Sequence, residues 1–147
     1  MNPDLLSAVV IGGTVAGILD IGAAAMINRK GPLAILRGIA SGLLGGKALK
    51  GGALASAWGF LLQVAMSIVI AAIYGLASLW LPILVTMWIA AGLAYGVGIF
   101  VVMTYVVVPL SAAPSRPLPE ITKIGKDLLA MLGFGLIIAY AVHRASF

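Results

Sequence analysis

Residues 5–28 read LLSAVVIGGTVAGILDIGAAAMIN, an apolar run of 24 residues broken by a single charge, Asp20. As a helix this run is about 36 Å long, enough to cross a hydrocarbon layer of about 30 Å. The stretch ahead of it carries Asp4 and no Lys or Arg. A cleaved signal peptide needs a basic leader, so none is expected, although Ala23, Ala24 and Ala25 imitate a cleavage site. Residues 5–28 are read as a first membrane crossing.

The rest of the chain agrees. Of 147 residues, 63% are hydrophobic and 9% charged, against about 25% charged in a soluble domain. Thirteen charged side chains cannot coat a 15 kDa globule in water, whereas lipid needs no such coat. Residues 53–79 make a second crossing, closed by Trp80-Leu81-Pro82 as an interfacial turn, since Pro ends one helix and opens the next. Residues 83–110 make a third crossing and residues 124–142 a fourth, with Lys126 and Asp127 at its start and Lys126 snorkelling to the surface. The Pro-rich run 111–119 between them cannot continue a helix. Residues 32–50 are apolar but broken by Arg37, Lys47, Lys50 and several glycines. They are expected as a short interfacial helix, with a re-entrant segment as the alternative. The fold class expected is therefore an all-α integral membrane protein, a single domain over 1–147.

Charge sets the orientation. Arg29, Lys30, Arg37, Lys47 and Lys50 lie in the first connection, and Arg116, Lys123 and Lys126 in the third, so eight of nine basic residues share one side. The positive-inside rule makes that side cytoplasmic and both termini periplasmic in a bacterial inner membrane. The net charge of +5 is then explained by topology and by contact with anionic lipid headgroups, without a nucleic acid partner.

Composition also removes functions. Cysteine is absent and the one histidine, His143, stands close to the C-terminal end, where it is expected to be wet. Thiolate chemistry, haem ligation and a zinc cluster are excluded, and no metal or cofactor is expected. The glycines open no strand-loop-helix unit of the phosphate-binding kind. Trp58, Trp80 and Trp88 are read as interfacial anchors, and Asp4, Glu120 and Asp127 as helix-end residues. No nucleophile and base pair is visible, so the chain is not expected to be an enzyme.

Asp20 needs a reason, because an acid within a crossing costs at least ~2.5 kcal/mol on insertion scales. Gly13, Gly17, Asp20 and Ala24 recur on one helix face, and the Gly13/Gly17 spacing permits close helix approach. Ser56, Gly59, Gln63, Ser67 and Tyr74 share a face of the second crossing. Counted inward from the basic side, Asp20 and Gln63 lie about 12 and 15 Å deep at helical rise. Thr104 is the nearest polar candidate from the third crossing, where Gly92 and Gly96 supply another close-packing face. An interior cluster of Asp20, Gln63 and Thr104 is expected. It acts either as a proton or cation relay or, as the reading favoured at this point, as a hydrogen-bonded lock on helix register.

The runs GTVAGILD at 13–20 and GIASGLLG at 38–45, with Tyr95-Gly96 and VVPLSAAP at 107–114, resemble a family of small uncharacterised bacterial four-helix inner-membrane proteins, over roughly residues 12–114. The resemblance implies location, not activity. Asp20 matches the family's acidic position, while members often carry a His at the place of Gln63 and an Asn at that of Thr104. The function expected is a structural or accessory subunit, associating with itself or with other membrane subunits through its small-residue faces. A small proton- or cation-linked transporter or channel using Asp20 is the alternative. The topology is tested by single cysteines in this cysteine-free chain: at Ser7 or Ser146 they should react with an impermeant thiol reagent in intact cells, and at Ser115 they should not.

Overall fold

The computed structural model describes residues 3–29, 31–111 and 121–146; Lys30, Arg116, Glu120 and nearly all of the Pro-rich linker lie outside the described residues. Four helices are long and apolar enough to cross a membrane, and the described residues contain no strand.

Helix α1 (Pro3–Asn28) ends where Asn28 turns its amide back to the Ala24 carbonyl, 2.8 Å away, and Arg29 takes a left-handed φ of 53°. Such a residue stops the helical ladder. Pro32 then opens α2 (Pro32–Leu44), where a missing N–H is no loss. At Gly45, φ of 77° reverses the chain into a 3₁₀ turn over Gly46–Lys50, a conformation open to glycine at no steric cost. Helix α3 (Gly52–Trp80) follows, and the expected interfacial turn closes it, with Trp80 83% exposed. The segment 32–50 is thus a helix of thirteen residues plus a turn, too short to cross.

The third crossing departs from the expected unbroken helix over 83–110. It divides into α4 (Ile83–Thr86), a break at Met87, α5 (Trp88–Val102), a π-helical turn over Met103–Val107, and α6 (Val108–Leu110). The break has an identifiable cause. The Tyr74 hydroxyl donates to the Leu84 carbonyl at 2.8 Å, and His143 Nδ1 stands 2.8 Å from the Val85 carbonyl. A carbonyl only accepts, so Nδ1 carries the hydrogen. Two carbonyls at the break therefore bond to side chains of other helices, the satisfaction that a broken ladder requires in an apolar setting. Helix α7 (Ile121–Ser146) is longer than the expected 124–142 and starts three residues earlier.

The crossings pack as a chain of neighbours, α3 against α1, α1 against α7, and α7 against α5, with α2 laid on α3. Small residues set each contact. A Cβ at Gly13 would lie 2.9 Å from the Ile68 Cα of α3, and one at Gly17 would collide with the Ser67 side chain. Gly92 and Gly96 close against Gly135, Met131 and Leu132 of α7, and Gly59 accepts the Leu36 carbonyl of α2 against its own backbone. Glycine is needed here for close approach of backbones, not for turning. The polar face expected on α3 is buried along its length, from Ser56 and Gly59 through Gln63 and Ser67 to Tyr74. Its side chains bond to backbone carbonyls, Ser56 to Leu33 at 3.1 Å and Ser67 to Gln63 at 2.7 Å. The opposite faces carry Leu19, Leu61, Ile73, Ile89 and Leu129, all more than half exposed, as lipid-facing surfaces should be.

Helices α3 and α5 barely touch as helices. The Tyr95 hydroxyl bridges them, donating to the Ile70 carbonyl at 2.7 Å, and its ring leans on Tyr74 with centroids 5.0 Å apart. Adding a methyl group should discriminate between the two kinds of glycine. Gly96→Ala places a Cβ 2.5 Å from the Met131 carbonyl oxygen and is expected to destabilise by about 1–3 kcal/mol. Gly98→Ala meets nothing within 4 Å and should be neutral or stabilising by up to about 1 kcal/mol. Unfolding in mixed detergent micelles measures both.

Candidate functional site

Asp20 and Gln63 meet across the α1–α3 seam. Gly17, one turn before Asp20, has no side chain, so α3 comes near enough for Gln63 to reach both residues. Gln63 Nε2 donates to the Gly17 carbonyl at 3.2 Å and to Asp20 Oδ2 at 3.1 Å, one hydrogen for each acceptor. Gln63 is 6% exposed, and Asp20 is half-buried. No buried side-chain oxygen or nitrogen among the described residues lacks a partner, so the second carboxylate oxygen of Asp20 has access to open space.

That space is a half-open cavity of about 220 Å³ lined by α1, α3, α5, the π-helical turn and α7, in the gap that α3 and α5 leave between them. Asp20, Gln63, Ser67, Thr104 and Asp127 supply its polar groups, and Ile99, Phe100, Met131 and Phe134 much of its apolar wall. A second, larger hollow of about 500 Å³ runs under α2 between α1, α3 and α7. Asp20, Gln63 and Asp127 line both, so the carboxylates stand where the two spaces meet.

Of the three residues expected to cluster, Asp20 and Gln63 are in direct contact, while Thr104 shares the cavity wall without bonding to either. Thr104 falls in the π-helical turn, which shifts the register of its face relative to a regular helix. Asp127, expected as a helix-end residue, is instead two turns inside α7 and on the cavity lip, where Lys123 pairs with it at 3.5 Å. The exposed geometry of that pair makes it a weak tie, on the order of 0–1 kcal/mol. A helix that begins at Ile121, not at residue 124, sets Asp127 within its second turn, where it lines the cavity.

His143 corrects a further expectation. It is half-buried rather than wet, bonded to Val85 and 5.6 Å from the Trp88 ring, which also packs on Tyr140 at 5.3 Å. Trp88 is accordingly part of an interhelical aromatic cluster, while Trp58 and Trp80 remain outward. The glycine pairs Gly13/Gly17 and Gly92/Gly96 are used within the chain. The described residues hold no group of three or more acidic, His or Cys side chains able to bind a metal ion. Of the residues read as lipid-facing cations, Arg29, Arg37, Lys47 and Lys50 gather around the first connection, and Lys30 and Arg116 lie outside the described residues.

Comparison with family models, with curated proteins and with solved structures returns no match for this chain.

The arrangement is a hydrogen-bonded carboxylate at the mouth of a mostly apolar chamber, with a second carboxylate opposite. A double-mutant cycle on Asp20→Leu and Gln63→Leu, each of which removes the contact, should return a coupling of about 0.6 to 1.7 kcal/mol, the range for polar contacts between membrane helices. Asp20→Asn alone should unfold close to wild type, because Asn still accepts from Gln63, whereas Asp20→Leu should be clearly less stable.

Proposed function

We propose that this multi-pass protein sits in a bacterial inner membrane with both termini periplasmic and serves as a small proton- or cation-linked transporter in which Asp20 is the ion-responsive group. One observation carries the reading: the Asp20 carboxylate opens onto an interhelical cavity shared with Asp127, Gln63 and Thr104. A residue that only locked helix register would be served by a closed seam. Here the glycine-packed part of the seam, Gly13 and Gly17 against Ile68 and Ser67, lies one to two turns away, and Asp20 stands at its open end, where a cavity and a groove join. Ionisable groups within a crossing mark ion and substrate paths by their cost.

The accessory-subunit alternative draws on small-residue faces seeking partners. The two pairs that prompted it are occupied by α3 and α7 of the same chain, so transport is put ahead of it. The orientation rests on the basic residues of the first and third connections, and the membrane assignment on four apolar helices.

The test is ion flux in proteoliposomes. Purified protein should dissipate an imposed proton or monovalent cation gradient at a rate that rises with protein density, and Asp20→Asn should abolish this while eluting and melting like wild type. Flux equal in wild type, Asp20→Asn and empty vesicles would refute the transport reading and return the acid to a purely structural role.

A further inference from the structure

We propose that the cavity between α3 and α5 binds a small apolar amine, a protonated ammonium group on a single ring or short hydrocarbon body, with the ammonium held between Asp20 and Asp127. The inference rests on the transport reading above and gives its cargo a chemical class.

Size comes first. An apolar cavity of about 150 Å³ holds benzene, so the 220 Å³ here fits one ring with a short aminoalkyl chain and nothing of drug size. Chemistry comes next. A divalent inorganic cation needs a shell of about six oxygen ligands at fixed distances, whereas the side-chain oxygens of this chamber, on Asp20, Gln63, Ser67, Thr104 and Asp127, are set on separate segments among apolar groups. Phe100, Phe134, Ile99 and Met131, with other apolar side chains, form most of the wall, a surface that desolvates an organic body and gains nothing from a bare ion. Aromatic rings in such a wall also attract an ammonium through their faces.

Charge decides the sign of the ligand. The titratable side chains lining the cavity and the groove are Asp20 from α1 and Lys123 and Asp127 from α7, and Lys123 is already engaged with Asp127. The local sum is one negative charge, which an ammonium neutralises and a carboxylate or phosphate would not. Access follows from the groove under α2, whose walls include Ile39, Leu43, Leu62 and Val107 and which reaches the same two carboxylates. An amphipathic amine partitions into a bilayer with its charge near the headgroups, at the level of the basic connections beside which the groove runs.

The experiment uses the full chain in lipid nanodiscs with phenethylamine as the probe, and 2-phenylethanol and 3-phenylpropionate as neutral and anionic isosteres. Calorimetry should show saturable binding of the amine, with the alcohol and the acid weaker by about tenfold or more. Asp20→Asn should weaken the amine by a similar factor and leave the alcohol unchanged. Ala130→Leu, which adds bulk to the cavity wall on α7 one turn from Asp127, should also exclude the amine while Asp20 stays in place. Equal binding of all three probes, or amine binding untouched by both substitutions, would overturn the proposal. The two readings fail separately. Proton flux without amine binding removes the cargo and keeps the ion path; amine binding without any flux removes transport and leaves a ligand site.

Discussion

Helices in lipid are not pressed together by the hydrophobic effect, because hydrocarbon tails are as apolar as the side chains they would replace, so contact must be drawn from close backbone approach and from hydrogen bonds. In this protein that constraint is met at two seams, Gly13 and Gly17 against α3, and Gly92 and Gly96 against Gly135 of α7. The α1–α7 contact joins the two glycine-packed pairs. Nothing of this kind joins α3 to α5. The gap between them is spanned by one tyrosine hydroxyl at one level and left as a chamber at another. The cavity is therefore a product of where glycines were placed and where they were not.

The same logic orders the polar groups. Each buried hydroxyl or amide on α3 is bonded, mostly to a carbonyl, and Gln63 ties the seam to the acid with both of its amide hydrogens. Asp20 is held by one oxygen and exposed by the other, an arrangement that fixes its position without using up its capacity to bind. A partner with two acidic oxygens fully bonded would be an anchor; this one is a half-occupied acceptor at a mouth.

Much of this was readable in the residues, and what was not has a physical reason. The four crossings follow from length and apolarity, and the Asp20–Gln63 layer follows from counting rise per residue inward from the charged ends, because a helix keeps that rise whatever it packs against. The buried face of α3, from Ser56 to Tyr74, follows from period alone. The break at Met87 does not, since it depends on carbonyls taken by Tyr74 of the preceding helix and by His143, distant in sequence. The misplacement of His143 as a wet residue has the same origin. Asp127 was lost to an error of three residues in one helix start, nearly a full turn, which is enough to move a side chain from a membrane surface into a site. Glycine pairs announce close contact but not with whom, and that α3 and α7 are the helices they meet within the chain follows only from the fold.

The bond between Asp20 and Gln63 has a bearing on how the protein is made. Forty-three residues separate them, so at ribosomal speeds of about 5–20 residues per second the acid emerges roughly 2 to 9 s before its amide. During that interval the first helix must stay in a wet or shielded setting at the insertion machinery, or carry its acid neutral, since lipid alone offers Asp20 no donor. Release into the bilayer is then naturally coupled to the arrival of α3, and the first two crossings leave as a hairpin, not singly. Closure of the chamber waits longer still, for α7, which follows α5 in the chain. Until then the hairpin leaves uncovered the flank of Asp20 and Gln63 that lines the future chamber, a surface that the nascent chain itself is built to cover.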